Sequence, residues 1–186
     1  MHRFATALVL VALTLAAGCG TAAKTGLNQV RGSSGHLATV DNLQGSFLLD
    51  KYDTVLVGDF TDPNDMASSQ TMTMLPGEIA AEIRKSDYFD DVKVISGAPS
   101  KTNNALLISG EILTVLQGGT FSVVIGQKPL MVADVTLSDA GTGERLGRAH
   151  CTGIALKIGD KEQMYGEGVG KAIMDWIEKH HTEPKD

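Results

Sequence analysis

The sequence predicts an α+β protein: a mainly antiparallel sheet of five to six strands with two helices packed on one face, preceded by a signal peptide and a flexible tether. Several short apolar segments are separated by clusters of Gly, Pro, Asn and Asp, as is typical of strands and turns. Two longer segments repeat apolar residues every three to four positions, as amphipathic helices do. Because most strand segments follow one another directly, we expect hairpin connections and helices gathered on one side of the sheet.

The first 18 residues have the form of a secretory signal. His2 and Arg3 make a basic head, and Phe4–Ala17 contains no ionisable side chain. A helix needs about 20 apolar residues to span a bilayer, so this segment is too short to be a stable anchor. Small residues lead directly into Cys19, which resembles the bacterial lipobox, whose cysteine is acylated and becomes the new N-terminus. We therefore predict cleavage before Cys19 and its lipidation, for example with palmitate; the alternative is a plain signal peptide with an incidental cysteine.

The rest of the chain is predicted to contain one folded domain. Residues 19–48 are rich in Gly, Ser, Thr and Asn without sustained periodicity, which favours a lipidated flexible tether, although Leu37–Leu43 could instead add an edge strand or dock on a neighbour. Residues 49–181 form the predicted α+β domain, and residues 182–186 a disordered tail. Gly20 stands where aspartate is the usual inner-membrane retention signal, so we expect an outer-membrane location facing the periplasm. The net charge of −6 argues against nucleic acid as a partner.

Six segments are predicted as strands, and alternation assigns faces to the longer ones. They are Lys51–Phe60, Tyr88–Ile95, Ala105–Leu116, Thr120–Gly126, Leu130–Asp139 and Arg145–Leu156. The first is apolar on both faces at its centre, which is typical of a strand buried on both sides. The third should place its even-numbered apolar residues on one face: Leu106, Ile108, Ile112 and Leu116. The fifth should do the same with Met131, Ala133, Val135 and Leu137. Gly141-Thr142-Gly143 predicts a hairpin turn between the last two strands.

Two segments are predicted as helices. Leu75, Ile79 and Ile83 form one stripe of the first, which we place at about Met74–Lys85 because Pro76 is best tolerated in a first turn. The second runs from about Glu162 to His180. Its apolar face consists of Val169, Ile173, Trp176, Ile177 and His180. Gly166 and Gly170 near its start should let this helix approach the sheet closely.

Two motifs invite a catalytic or nucleotide-binding interpretation and are better explained structurally. Cys151 has no intrachain partner if Cys19 is lipidated, and a reactive pair with His150 is disfavoured because adjacent strand residues point to opposite faces. The run Gly166–Lys171 lacks the glycine spacing and the following Ser or Thr of a phosphate-binding loop, so it indicates helix entry and close packing.

Three further groups offer oxygen or nitrogen ligands. Asp62–Asp65 has calcium-type ligands without the spacing of a binding loop, so a turn is expected. His180-His181 diverge on a helix, which favours a solvated terminus over a metal site. Glu111 and Asp134 could form a carboxylate pair of the glycosidase type if their strands align, but solvent-facing positions on the sheet are the simpler interpretation.

The order of these segments resembles an uncharacterised family of bacterial lipoproteins that carries a domain of unknown function. The matching stretches are Tyr52–Phe60, Leu75–Ile79, Tyr88-Phe89, Leu107–Ile112 and Asp139–Glu144. More distantly, the pattern is similar to the curli secretion channel lipoprotein and to peptidoglycan-synthase activator lipoproteins. The resemblance implies a protein that acts by assembling with partners, and it brings no catalytic residues. Gln117–Val124 departs from the glycine- and arginine-rich hairpin expected at that place.

The sequence therefore predicts a non-enzymatic structural or assembly module without cofactor or metal, held to the membrane through Cys19. Thr120–Gly126 is apolar, uncharged and rich in β-branched residues, so we expect it to contact another subunit, an envelope partner or an apolar ligand. The alternative is a periplasmic glycan- or lipid-binding module that uses an uncovered apolar sheet face. That face would include Leu130, Val132, Phe121 and Val123. A carboxylate-based hydrolase is the third candidate.

Overall fold

The computed structural model describes residues 32–41, 49–97, 101–117, 128–155 and 163–180. Within them, six strands and two helices follow in the order β1 (Ser33–Asp41), β2 (Thr54–Thr61), α1 (Ser69–Ile83), β3 (Asp91–Val94), β4 (Ala105–Leu116), β5 (Leu130–Asp139), β6 (Arg145–Ala155) and α2 (Gln163–Glu178). The α+β class is thus confirmed. The predicted signal peptide, Cys19, the strand at Thr120–Gly126 and the tail at 182–186 lie outside the described residues.

The sheet is mixed, with strand order β1-β6-β5-β4-β2-β3. The neighbours from β4 through β5 and β6 to β1 are antiparallel, which agrees with the predicted mainly antiparallel sheet, although β1 itself falls in the predicted tether. By contrast, β2 is parallel to both β3 and β4. Parallel neighbours need a crossover connection, and α1 supplies it between β2 and β3. The expectation of a mainly antiparallel sheet is therefore correct for four strands and wrong for the β2–β3 end.

Strand β1 corrects the predicted tether. Ser33–Asp41 lies at the edge of the sheet, antiparallel to β6, with Leu37 opposite Cys151. Leu37 packs against the main core, which explains why the strand forms despite its weak apolar pattern. The alternative of an edge strand, considered for Leu37–Leu43, is confirmed for the part up to Asp41.

Helix α1 begins five residues earlier than the position of Pro76 suggested. The Ser68 side chain caps the helix by accepting a hydrogen bond from the backbone N–H of Thr71 at 3.1 Å. Pro76 therefore lies inside the helix, where it removes one backbone hydrogen bond. The cap contributes about 1 kcal/mol, and Leu75 and Ile79 are buried. Capping and burial together outweigh the local preference of proline.

Both helices cover the same face of the sheet, and their apolar residues form one core with it. On β5 the alternate residues Met131, Ala133, Val135 and Leu137 are fully buried, as the alternation predicted. Strand β4 follows its prediction through Ile112, then a bulge between Ile112 and Thr114 exchanges its faces. As a result Val115 packs on the core, whereas Leu116 is 47% exposed.

Helix α2 approaches the sheet through a different glycine from those predicted. A Cβ atom on Gly168 would lie 2.6 Å from the Cα of Gly153, so backbone meets backbone there. Gly166 and Gly170 instead face α1, where added Cβ atoms would meet the side chains of Glu78 and Glu82. The assignment of Gly166 and Gly170 to the sheet contact is therefore wrong, because they lie on the side of α2 that faces its neighbouring helix.

Candidate functional site

The sheet face opposite the helices carries a polar groove of about 400 Å³. It crosses four neighbouring strands, β2, β4, β5 and β6, and we call it the open-face groove. Side chains of both charges and hydroxyls line it: Asp59, Thr61, Ser109, Glu111, Asp134, Thr136, Arg145 and Arg148, with Gly110 between them. Successive residues of a strand point to opposite faces of the sheet. The core residues therefore point to the helices, and the residues between them line the groove on the other face.

The groove brings together the two carboxylates that the sequence analysis considered as a pair. Glu111 on β4 and Asp134 on β5 are directly opposite in the antiparallel register, so their side chains share a face. Directly opposed like charges destabilise a sheet, and Arg148 on β6 compensates them. Its Nε donates to Asp134 Oδ1 at 2.8 Å, and its Nη2 bonds the other oxygen, Oδ2. The Asp134 carboxylate accordingly holds the pKa of Arg148 above its usual value, with a smaller effect from Glu111.

This geometry favours binding or structural support over nucleophilic chemistry. Asp134 is 4% exposed, and both its oxygens accept hydrogen bonds from the Arg148 fork. A retaining glycosidase needs one carboxylate free to attack and another carboxyl free to donate a proton. A buried carboxylate held by a bidentate guanidinium is poorly placed for attack.

The charges of the groove are separated across the strands. Asp59 and Glu111 come from β2 and β4, whereas Arg145 and Arg148 both come from β6. Asp59 also accepts a hydrogen bond from the backbone N–H of Gly97 at 2.8 Å, which fixes its position beside the groove. The lining suits a polar ligand with several hydroxyl or amide groups, since no large apolar side chain belongs to it.

The sequence analysis missed Arg145 and Arg148. Both stand on the open face of β6, between core residues such as Leu146 and Ala149. The two arginines are three residues apart, so simple alternation does not place them on one face; a register shift beside Arg145 and the pairing of β5 with β6 bring both into the groove with Asp134. The apolar surface predicted for a lipid ligand is only partly described: Leu130 and Val132 are half-buried, and Phe121 and Val123 lie outside the described residues.

Cys151 is a core residue. It is fully buried, and burial, together with the charges of Asp134 and Asp175, raises its pKa to about 12. Such a thiol is unreactive at neutral pH. The structural interpretation of this cysteine is confirmed, and His150 beside it belongs to the opposite, half-exposed face of β6.

The other candidate groups have structural roles as well. Gly166–Lys171 lies within α2 and makes no phosphate-binding loop. Asp62 organises a turn, because its Oδ2 accepts a hydrogen bond from the backbone N–H of Ala67 at 2.6 Å. His180 is half-buried, and His181 lies outside the described residues. Across the part of the chain that the structure describes, no three His, Cys, Asp or Glu side chains are grouped to hold a metal ion.

A second polar cluster lies between the helices and the start of β1. The Nζ of Lys171 donates to the backbone oxygen of Ser33 at 2.9 Å and to Glu167 at 2.7 Å. Glu78 on α1 faces Gly166 and has a buried oxygen, Oε1, without a hydrogen-bond partner. Burial and, to a smaller extent, the Glu167 carboxylate raise the pKa of Glu78, the Gly166 N–H lowers it, and the net result is a pKa of about 7. This cluster joins α2 to β1 and contains one carboxyl group that is easily protonated.

The predicted point of membrane attachment, Cys19, lies outside the described residues. None of the helices among the described residues is both long enough and apolar enough to cross a bilayer.

The chain matches no protein-family model and no curated protein in sequence. Among solved structures it is similar to the PelC dodecamer from Paraburkholderia phytofirmans, with a TM-score of 0.52 and 12% identity over 81% of this chain and 99% of that one. Lipoprotein GNA1162 from Neisseria meningitidis has a TM-score of 0.33 and 14% identity over 68% of this chain and 95% of its own. At such identities the similarity to PelC shows a shared fold, and the structural neighbours include a lipoprotein.

Proposed function

We propose that this protein is a lipid-anchored module of the bacterial envelope, held in the outer membrane through Cys19 and facing the periplasm, where it assembles with protein partners without catalysing a reaction. The lipobox-like sequence before Cys19 supports the anchor. Gly20 supports the outer-membrane location, because it occupies the position at which aspartate is the usual inner-membrane retention signal.

The observation that carries the assembly role is the similarity of fold to PelC, a protein that forms a dodecamer. That similarity covers 99% of the PelC chain, so it extends over nearly the whole PelC fold. The open-face groove supports the non-catalytic part of the proposal, because Arg148 occupies both oxygens of Asp134.

Exchange of the anchor cysteine tests the attachment. Cys19→Ser should release the protein from membranes and abolish metabolic labelling with a fatty acid. The substitution removes the site of acylation, and stable anchoring needs several acyl chains. Cys151→Ala is the matched control, because it removes the other cysteine, and it should remain membrane-bound and labelled. Equal attachment of the Cys19→Ser protein would contradict the anchor, and recovery of the wild type with inner membranes in density fractionation would contradict the location.

Cross-linking in intact envelopes tests the assembly role. A lysine-reactive cross-linker should capture the full-length protein in complexes with protein partners or with further copies. The complexes should form equally with wild type and with Glu111→Gln, because the carboxylate has no catalytic part in the proposal. Recovery of the monomer alone, at every cross-linker concentration, would argue against an assembly module.

The open-face groove favours a second candidate, a periplasmic glycan-binding module. Its carboxylates, guanidinium groups and hydroxyls match the hydrogen-bonding groups of a sugar, and its lack of large apolar lining disfavours a lipid. Titration with neutral, amino and acidic oligosaccharides, followed by NMR shifts of β4 and β5 amides, tests it. Shifts that disappear in Thr136→Val and Glu111→Gln would support glycan binding, and an unchanged spectrum with all three sugar classes would reject it.

A further inference from the structure

The two edges of the sheet are protected to different degrees. Strand β3 is only four residues long and carries an ion pair between Lys93 and Asp91. Strand β1, at the other end, is nine residues long and pairs with β6 on one side only among the described residues. An edge of that length presents a row of backbone N–H and C=O groups to which another strand can pair.

Strand β1 also has few of the features that prevent edge pairing. Ser33–Asp41 contains no Lys, Arg or Pro, and its only formal charge is Asp41 at the end. Val40 on this strand is 41% exposed. One protective feature is present, a bulge between Ala38 and Val40. The stretch Ser34–Ala38 therefore remains a regular edge without charged side chains, whereas Ser33 is 7% exposed and its backbone oxygen already accepts a hydrogen bond from the Nζ of Lys171.

Helix α2 holds this edge in place. Gly35 lies directly beneath α2, because a Cβ atom there would meet the backbone of Gly168 and Ala172. At the start of the strand, the Nζ of Lys171 binds the backbone oxygen of Ser33 at 2.9 Å and its hydroxyl at 3.2 Å. A strand that is ordered before it meets a partner loses little conformational entropy on pairing.

We propose that the partner at this edge is a second copy of this chain, whose β1 pairs with β1 antiparallel about a two-fold axis. In such a pair centred near His36, the regular stretch Ser34–Ala38 of one copy lies against the same stretch of the other, so no Asp, Glu, Lys or Arg side chains oppose each other. In this register an even-numbered residue of one copy lies opposite an even-numbered residue of the other, and odd opposite odd. Leu37 therefore lies on the helix-covered face in both copies. The four-residue strand β3 would leave most of β1 unpaired, which disfavours head-to-tail pairing between the two edges. The result is one sheet that continues through two copies.

The β1-to-β1 dimer builds on the proposed function, because anchoring at Cys19 confines the copies to one membrane plane and raises their effective concentration. The full sequence has a net charge of −6, and cleavage before Cys19 makes each anchored copy one unit more negative because it removes Arg3. Added salt screens the repulsion between the copies, so the dimer should form more readily at about 0.5 M salt than at about 0.05 M.

Position-specific cross-linking of the full-length protein in envelopes tests the edge. His36 is exposed on β1, and Val94 is 45% exposed on β3. With a short bis-maleimide reagent, His36→Cys should give covalent dimers, whereas the matched variant Val94→Cys should not. Any of three outcomes would overturn the proposal. These are equal dimer yields from both variants, no dimer from His36→Cys, and a thiol introduced on β1 that maleimide cannot reach.

A charge placed at each edge gives the second measurement. His36→Lys brings two lysines close together across the two-fold axis and should weaken dimerisation about tenfold, as measured by light scattering of the detergent-solubilised protein. Val94→Lys should leave the dimer unchanged, and thermal unfolding checks that both variants are folded. Equal dimerisation of wild type and His36→Lys would reject the β1 interface. If lysine-directed cross-linking still gives complexes while His36→Cys gives no dimer, the proposed function stands and the edge assignment fails.

Discussion

The two faces of the sheet are made by the same strands and have opposite chemistry. On β4, Ile108 is fully buried beneath the helices, while its neighbour Ser109 lines the open-face groove. On β5, Ala133 and Val135 flank Asp134 in the chain and point to the core. The helix-covered face is determined by packing, so its residues are constrained by volume and polarity. The open face is free of that constraint, which is why its charged residues are informative about binding.

The largest effect should come from a charge on the covered face. Ile108→Asp and Ile173→Asp each place an unpaired carboxylate at a fully buried position and should cost several kcal/mol, enough to unfold the domain. Ser109→Asp is the matched control, since it changes the next residue on the same strand but on the other face, and it should remain folded. Thermal melting measures all three, and a wild-type-like melt of either isoleucine variant would show that the faces are misassigned.

Glycine-to-alanine exchanges sharpen the comparison within the covered face. Gly168→Ala forces a Cβ to within 2.7 Å of the Ser34 oxygen and should destabilise the fold by about 1–3 kcal/mol, because backbone cannot move aside easily. Gly77→Ala, in helix α1, meets open space and should stabilise it by about 0.5–1 kcal/mol. The two variants should therefore change the free energy of unfolding, measured by urea denaturation, in opposite directions. Equal changes would mean that α2 does not rest on the sheet at Gly168.

The helix interface should make stability depend on pH through Glu78. Its pKa rises from 4.5 to about 7 on folding, so the folded state binds the proton more tightly and loses stability as the pH rises through that range. Glu78→Gln should therefore match wild type at about pH 4 and be more stable by about 1 kcal/mol at about pH 8, a figure reduced for solvent screening of a half-buried group. Glu178→Gln, at an exposed position of α2, should show no such difference. If the stability of wild type and of Glu78→Gln depended on pH in the same way, the raised pKa of Glu78 would be contradicted.

The smallest effect belongs to the open face. Glu111→Gln removes one of two directly opposed carboxylates and should stabilise the fold by about 0.2–1 kcal/mol at low salt. The gain should shrink at about 0.5 M salt, because the exposed part of the repulsion is screened. Denaturant melts at both salt concentrations measure it, and a clear loss of stability would mean that the attraction of Glu111 to Arg148 outweighs its repulsion by Asp134.

Local sequence patterns were sufficient to predict the strands in which buried and exposed residues alternate regularly. Alternation on β4 and β5 predicted the correct bounds and the correct buried residues up to Ile112, because each buried position there is reached by a period of two. The same logic failed at Leu116, since a bulge is a property of two paired strands. It failed again at Pro76, where local preference was outweighed by a cap at Ser68 and by burial of the surrounding turn.

By itself, the sequence determined the α+β class, the covered face of β5 and of β4 up to Ile112, the apolar stripe of α2 and the structural role of Cys151. These follow from periodicity and residue type, which act over a few neighbouring residues. Only the tertiary structure decided the parallel pairing of β2, the place of β1 at an edge and the meeting of Glu111, Asp134 and Arg148 in one groove. Each of these depends on which distant segments pair and in which register, and pairing is chosen by the packing of the whole core rather than by any local pattern.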